Sequence, residues 1–164
     1  MRAAAARNAT TGSPVEETGA APFTDGPWLF SYNGAVEGFR GGLGTELRRS
    51  LSARRDAGIL GSSDSEVLFA LLLDRLDAGT PAAEAVQDVV DLLRTRAGGR
   101  FNLLLADGHT IVASRCGNEL FSRTDPQGAS WVVSEPTDDE PGWCEVPDGT
   151  LVVATRDHID WFPL

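Results

Sequence analysis

The sequence predicts an α+β fold with antiparallel sheet, chiefly from the periodicity of its apolar residues. Residues 43–96 repeat apolar side chains at helical spacing, whereas from residue 101 onward they alternate with a period of two. Asp107-Gly108 is a pair typical of tight turns between neighbouring strands. Strands joined by short turns after a run of helices favour an antiparallel sheet over parallel βαβ units.

The first half of the chain holds the predicted helices. Leucines at four-residue spacing predict a helix over residues 43–57 with one buried stripe. Ser63 and Glu66 have the spacing of a capping box, and the helix that they open is predicted to run to about Asp77. A further helix is predicted for residues 80–96, because proline is tolerated in a first helical turn.

Strands are predicted on both sides of this helical region. Residues 28–32 form an aromatic and aliphatic run that ends at Asn33-Gly34, which predicts a strand leading into a turn. The remaining predicted strands lie in the second half, at residues 101–106, 110–114, 120–123, 130–134 and 150–155. The first two of these flank Asp107-Gly108-His109 and are therefore predicted to form a hairpin.

The composition is typical of one globular domain. The chain has 164 residues, of which 41% are hydrophobic, so we predict a single domain over residues 1–164 with residues 1–25 as a loose leader. The formal net charge of −10 repels phosphate backbones and anionic lipids, so we expect neither nucleic acid nor a membrane as partner. No stretch approaches the roughly 20 apolar residues of a membrane span, and we predict a cytoplasmic protein.

The pair Asn33-Gly34 admits a structural and a chemical interpretation. As a structural element it is a common tight turn. As a chemical element it is an oxyanion hole, because amide hydrolysis builds negative charge on the carbonyl oxygen. A fixed asparagine side chain and the next backbone N–H can stabilise that charge. Both interpretations stay open from the residues alone.

Asp64 and Arg7 carry charges that suit the two ends of an amino acid. Asp64 lies at a predicted helix start, where it is either part of the cap or an ionised carboxylate able to receive an ammonium group. Arg7 is either a solvated side chain or a bidentate clamp for a carboxylate. With Asn33-Gly34 these residues provide a cation, an anion and an oxyanion hole. The sequence therefore predicts a site for the glutamyl half of a small-molecule amide.

Cys116 and Cys144 are predicted to be free thiols, although they could pair if the fold brought them together. Neither has a basic partner at a recognisable spacing, so neither is predicted to be a nucleophile. Together with His109 and His158 they do not form a zinc-ligand pattern, so no metal and no cofactor is predicted.

Several segments resemble class II glutamine amidotransferases in residue type, order and spacing. They are R-N-A-T-T-G-S-P from Arg7, A-P-F-T-D-G-P-W-L-F-S-Y-N-G ending at Gly34, and S-D-S-E-V-L-F-A-L-L-L from Ser63. Within this family the chain is similar to the γ-glutamyl hydrolases of ergothioneine biosynthesis, also through N-L-L-L-A-D-G and V-V-S-E-P-T-D-D-E-P-G-W-C-E-V-P-D-G. The resemblance covers nearly all of the chain from Arg7 onward.

The resemblance implies an N-terminal-nucleophile hydrolase with an αββα sandwich of antiparallel sheets, incomplete at the N-terminus of this chain. In this family a terminal cysteine attacks the γ-glutamyl amide without a metal, and water releases glutamate from the thioester. Carried over by position, Arg7 binds the α-carboxylate and Asp64 the α-ammonium group. Asn33 and the Gly34 N–H form the oxyanion hole. The subgroup implies γ-glutamyl-hercynylcysteine sulfoxide as substrate.

The chain departs from the family pattern chiefly at its start. The nucleophilic cysteine of the family follows the initiator methionine, where this chain has Arg2. The family commonly has a histidine two residues ahead of the arginine, where this chain has only alanines, and Tyr32 replaces the histidine of F-S-H-N-G. The first strands of the family fold are also missing. We therefore expect the specificity half of the site without its nucleophile.

Two hypotheses follow for the function. The chain is the C-terminal portion of a γ-glutamyl amidohydrolase, inactive alone, or it is a non-catalytic glutamine or γ-glutamyl-binding protein or a subunit completed by another chain. Missing strands would leave sheet edges and apolar faces uncovered, which favours self-association or a partner that supplies them. Such faces are expected at Leu103, Leu105, Val132 and Val152.

Overall fold

The computed structural model describes residues 22–164, so that Arg7 and the rest of residues 1–21 lie outside the described part. The elements, in chain order, are β1 Phe23–Asp25, β2 Trp28–Val36, a 3-10 turn Phe39–Gly41, α1 Leu43–Arg49, α2 Ala53–Ala57, α3 Asp64–Asp77, α4 Ala82–Arg96, β3 Gly99–Ala106, β4 Ile111–Arg115, β5 Phe121–Thr124, β6 Ser130–Val133, β7 Cys144–Glu145, β8 Thr150–Ala154 and β9 Ile159–Pro163.

The strands form two antiparallel sheets. The large sheet has the order β1-β2-β3-β4-β8-β9, and the small sheet has the order β6-β5-β7. Each neighbouring pair in both sheets runs antiparallel. The predicted α+β fold with antiparallel sheet is therefore confirmed.

Two apolar cores separate three layers. The first core joins the helices to one face of the large sheet, with Leu72 of α3 and Leu93 of α4 packed over side chains such as Leu105 of β3. The second core joins the two sheets, where Val132 of the small sheet meets the cluster that includes Val152 of β8. The expected packing of sheet on sheet is confirmed, and the helices of residues 22–164 lie on the outer face of the large sheet.

The prediction of uncovered apolar faces is wrong at the four residues named for it. Leu103 and Leu105 are buried beneath the helices, and Val132 and Val152 are buried between the sheets. The reason is that the described strands form a two-sheet core of their own. The exposed large apolar side chains of the described part lie elsewhere, at Leu60, Trp131, Trp161 and Phe162.

The interpretation of Asn33-Gly34 as a turn is also wrong. Strand β2 continues to Val36, and Asn33 and Gly34 pair with Asn102 and Phe101 of β3. Continuous pairing with a central strand outweighs the local turn preference of the Asn-Gly dipeptide. The strand ends at Val36, and the turn that follows contains Gly38, whose φ of 72° suits glycine.

The single helix predicted over residues 43–57 is two short helices, α1 and α2. Ser52 caps α2, since its Oγ accepts a hydrogen bond from the Arg55 N–H at 3.3 Å. The Ser52 backbone N–H and hydroxyl both donate to Asp74 of α3, at 2.7 and 2.6 Å. These contacts fix the break between the two helices against α3.

Residues 23–25 belong to the fold, although the sequence placed them in the loose leader. They form edge strand β1, which Arg55 ties to the helices. The buried Arg55 guanidinium contacts Asp25 and donates to Asp77 at 2.7 and 3.0 Å. Burial alone lowers the pKa of Arg55, but the hydrogen bonds to both carboxylates raise it above its ordinary value. Arg55 therefore stays charged as the link between β1 and α3.

The predicted ranges of the remaining helices and strands agree with the structure within a residue or two. Strands β7 and β9 were not predicted. Helices α3 and α4 and the β3–β4 hairpin follow the predicted ranges. Strands β7 and β9 were missed, because both are edge strands without a clear alternation of apolar residues. Both cysteines are free thiols, as predicted. No helix within residues 22–164 has the length and apolar character to span a bilayer.

Candidate active site

The start of α3 is held by the predicted capping box. The Ser63 hydroxyl accepts the Glu66 N–H at 3.3 Å, and the Glu66 carboxylate accepts the Ser63 N–H at 3.2 Å. The same carboxylate accepts the Gly61 N–H at 2.7 Å, which fixes the loop before the helix. Asp64 is thereby held in place as the first residue of α3.

The Asp64 carboxylate connects the helix start to strand β2. It is half-buried, and one oxygen accepts the Ser65 N–H at 2.9 Å while the other accepts the Val36 N–H at 3.4 Å. Val36 lies two residues beyond Gly34, which is about 7 Å along a strand. A negative charge at the N-terminal end of a helix therefore faces the end of the strand that carries Asn33 and Gly34.

Glycine is needed at position 34 because a side chain would not fit there. Its backbone conformation does not require glycine, since its φ is not positive. A Cβ atom at this position would overlap the carbonyl oxygen of Arg100 in β3 and lie 3.0 Å from the Tyr32 hydroxyl oxygen. The backbones of β2 and β3 thus approach closely at Gly34. A side chain there would push β2 and β3 apart.

Tyr32, which replaces the family's histidine, lies on the face of the large sheet opposite to Asn33. Its ring is buried in the helix-facing core, and its hydroxyl donates to the Arg100 carbonyl oxygen at 3.2 Å. Successive side chains of a strand point to opposite faces, so Asn33 projects away from that core. Tyrosine in place of histidine at position 32 therefore changes the packing of β2 on the face toward the helices, not on the face of Asn33.

The exposed Asn33 is held by a residue that the sequence interpretation did not weigh. The side-chain amide nitrogen of Asn118 donates to the Asn33 backbone oxygen at 2.9 Å and to its Oδ1 at 3.3 Å. Asn102, the pairing partner of Asn33 in β3, is buried and donates to the backbone oxygen of Asn118 at 3.0 Å. Gly117-Asn118 shortly after β4 is typical of a structured loop, but the dipeptide alone does not indicate a contact with Asn33.

Three of the four predicted site residues, Asn33, Gly34 and Asp64, lie around the second half of β2. Arg7 is outside the described residues.

Burial raises the pKa of the Cys116 thiol more than Arg94 lowers it, which disfavours the nucleophilic thiolate. Cys144 lies on the edge of the small sheet. Within residues 22–164, no three His, Cys, Asp or Glu side chains are grouped to hold a metal ion.

Comparisons with known proteins identify the family and the fold of the chain. Residues 3–130 match the family of class II glutamine amidotransferases. The chain is 37% identical over 161 residues to the γ-glutamyl-hercynylcysteine sulfoxide hydrolase of Mycolicibacterium smegmatis, covering 98% of this chain and 63% of that protein. It is 33% identical to the protein of the same name from Mycobacterium tuberculosis, covering 95% and 59% of the two chains. The chain thus spans about three fifths of the length of these relatives.

Solved structures show the same fold. A protein from Silicibacter pomeroyi described as a glutamine aminotransferase class-II domain protein superimposes with a TM-score of 0.72 at 26% identity, over 90% of this chain and 72% of the other. The glutamine phosphoribosylpyrophosphate amidotransferase of Bacillus subtilis superimposes with a TM-score of 0.62 at 16% identity, over 83% of this chain and 29% of the other. The family match covers most of the chain and the fold agrees with it. This chain belongs to the class II glutamine amidotransferases.

Proposed function

We propose that the protein provides the glutamyl-binding and oxyanion-stabilising part of a γ-glutamyl amidohydrolase. The substrate that we propose is γ-glutamyl-hercynylcysteine sulfoxide, and the pathway is ergothioneine biosynthesis. The names of the mycobacterial relatives support this choice of substrate. The observation that carries the proposal is the contact of the Asp64 carboxylate with Val36, just beyond Asn33-Gly34 on the same strand.

The site residues have complementary roles in this proposal. Asp64 receives the α-ammonium group of the glutamyl moiety, and Arg7 binds its α-carboxylate through a bidentate pair of hydrogen bonds. The Asn33 side-chain amide and the Gly34 N–H donate to the carbonyl oxygen of the scissile amide as it becomes an oxyanion. The separation of Val36 from Gly34 along β2 matches a ligand whose charged end and reacting end are bound at different points of one strand.

The chemical step requires a thiolate that residues 22–164 do not provide in a suitable place. In the proposed reaction the thiolate sulfur attacks the γ-carbonyl carbon, the C–N bond breaks, and the departing nitrogen takes up a proton. Water then attacks the thioester, which releases glutamate and returns the thiol. Asn33 and Gly34 stabilise the negatively charged oxygen in both halves of this sequence.

Binding of L-glutamine by the purified chain tests the proposed pocket, with isothermal titration calorimetry as the measurement. N-acetyl-L-glutamine is a matched control ligand, because it keeps the amide and the carboxylate but lacks the α-ammonium group. We expect heat with glutamine and a much weaker response with the acetylated compound. Equal affinity for the two ligands, or no heat at millimolar glutamine, would reject the proposed pocket.

A non-catalytic binding protein is the second candidate, and the position of both described cysteines favours it. The two candidates differ in glutamate release from γ-glutamyl-hercynylcysteine sulfoxide. The release is measured for the chain alone and for the chain together with any polypeptide encoded immediately upstream of Met1. Release in either sample supports the hydrolase, whereas tight binding without release in both samples supports the binding protein.

A further inference from the structure

The hydrogen bonds between Asn118 and Asn33 define which end of the Asn33 amide faces outward. A side-chain amide has an oxygen that only accepts and a nitrogen that only donates. Because Asn33 Oδ1 accepts from Asn118 at 3.3 Å, the Asn33 Nδ2 group is turned away from Asn118. The neighbouring bond of 2.9 Å to the Asn33 backbone oxygen holds the Asn118 amide against β2.

Asn118 is itself held by a buried asparagine of the adjacent strand. Asn102 is only 5% exposed, and its Nδ2 group donates to the backbone oxygens of Asn118 and Glu119 at 3.0 and 3.1 Å. Its Oδ1 accepts the Cys116 N–H at 2.8 Å. A buried amide that has both of its ends satisfied is costly to displace. The loop that carries Asn118 is thus fixed to β3 at the position opposite Asn33.

We propose that Asn118 is a positioning residue for the oxyanion hole. It fixes the Asn33 side chain so that Nδ2 donates toward the carbonyl oxygen of the bound γ-glutamyl amide. This inference deepens the proposed function and rests on it. An asparagine without this partner could present its oxygen to the substrate, and two facing oxygens repel each other. Orienting the donor before the substrate arrives removes the cost of turning it during the reaction.

The variant Asn118→Asp tests the proposal with almost no change in size. A carboxylate at residue 118 only accepts hydrogen bonds, so Asn33 is expected to turn its Nδ2 group toward residue 118 and its oxygen toward the substrate. Asn118→Ala removes the partner and leaves Asn33 free to rotate. Glu119→Gln is the matched control, because Glu119 is an exposed neighbour whose backbone contact with Asn102 does not depend on its side chain.

Nuclear magnetic resonance of the side-chain amides reads the orientation of Asn33 in the ligand-free protein. The Asn33 signals are assigned by their loss in Asn33→Asp. We expect them to shift in both Asn118 variants and to stay in place in Glu119→Gln, while the Asn102 side-chain signals persist as evidence of an intact loop. Unchanged Asn33 signals in both Asn118 variants would overturn the proposal.

Calorimetry with L-glutamine links the orientation to binding. We expect the affinity to fall about tenfold or more in Asn118→Asp, to fall less in Asn118→Ala, and to be unchanged in Glu119→Gln. If the unaltered protein does not bind glutamine, the proposed pocket fails, but the Asn33 signals still decide the role of Asn118. If glutamine binds equally to the unaltered protein and to Asn118→Asp, the positioning role is rejected while the pocket stands.

Discussion

The carboxylate of Asp64 accepts the backbone N–H of Val36, a residue 28 positions earlier in the chain, at 3.4 Å. This contact brings the start of the first long helix to the strand that carries the predicted oxyanion hole. The capping box positions the helix start, and the carboxylate extends from it to β2. The structural role of a cap and the proposed role of an ammonium receptor therefore reside in neighbouring side chains and can be separated by mutation.

Asp64→Asn is expected to weaken glutamine binding, whereas Ser63→Ala is expected to lower stability. Asp64→Asn keeps the size of the side chain but loses its charge, so we expect glutamine affinity to fall at least tenfold with little change in melting temperature. Ser63→Ala removes the cap and is expected to lower the free energy of unfolding by about 1 kcal/mol with little effect on affinity. Calorimetry and thermal unfolding measure the two quantities. Equal affinity in Asp64→Asn and the unaltered protein would contradict the proposed role of Asp64.

Gly34→Ala is expected to destabilise the protein by at least about 2 kcal/mol. The added methyl group would collide with the Arg100 carbonyl oxygen of β3, which cannot move without disturbing the large sheet. Gly41→Ala is a matched control, because a Cβ atom at Gly41 has open space around it. Urea denaturation of both variants measures the difference. Similar midpoints for the two variants would show that β2 and β3 tolerate a side chain at Gly34.

Arg55→Ala is expected to lower the free energy of unfolding by about 2 kcal/mol, because it removes charged hydrogen bonds to Asp25 and Asp77. Both carboxylates are partly exposed, so water replaces part of what is lost. Arg54→Ala is the control, since this neighbouring arginine is largely exposed and lies 3.6 Å from Asp77. Chemical denaturation of the two variants should show a loss only for Arg55→Ala, and equal losses would contradict the link from β1 to α3.

The two thiols are expected to react at different rates with a thiol reagent. Cys144 is exposed and should be labelled first. Cys116 is buried, and burial raises its pKa, so its labelling in the folded protein should be slower by about tenfold or more. Mass spectrometry after timed labelling near pH 8 measures both rates, and the urea-unfolded chain is the control in which they should converge. Faster labelling of Cys116 in the folded protein would contradict this placement.

The raised pKa of Cys116 also predicts how stability depends on pH. The folded state holds the thiol proton more tightly than the unfolded chain does. This contribution is complete below the unfolded thiol pKa of about 8.5 and is lost as the pH rises toward the folded value. Stability should therefore fall above about pH 8.5, and the fall should be smaller in Cys116→Val. Parallel pH profiles for the two proteins would exclude Cys116 as the cause.

The local sequence was sufficient to predict the elements whose cause is local. The capping box at Ser63 and Glu66, the helices after it and the β3–β4 hairpin each depend on residues within one short segment. The break between α1 and α2 was not predictable in this way, because it depends on Ser52 meeting Asp74 of another helix. Edge strands β1 and β9 pair with strands that are next to them in the chain. They were not predicted because β1 has only three residues and β9 has no clear alternation of apolar residues.

The same distinction applies to the site. Asn33, Gly34 and Asp64 were predicted from residue type and family resemblance, but Asn33-Gly34 alone admitted a tight turn as well as an oxyanion hole, and the turn is wrong. Asn118 could not be selected from the sequence, since its importance lies in reaching a residue 85 positions away. Asn102 was inconspicuous for a similar reason, because its buried hydrogen bonds extend to a loop beyond the next strand.

The pairing of Asn33 and Gly34 with β3 has a consequence for the entropy of binding. A site formed by a flexible loop loses backbone freedom when a ligand arrives, at roughly 1–2 kcal/mol for each residue that becomes ordered. Asn33 and Gly34 are already ordered by folding, because both lie in β2 and pair with β3 of the large sheet. A ligand that reaches β2 therefore meets a backbone with little disorder left to lose there. Differences in affinity among γ-glutamyl compounds should accordingly reflect the groups that these compounds carry rather than rearrangement of this strand.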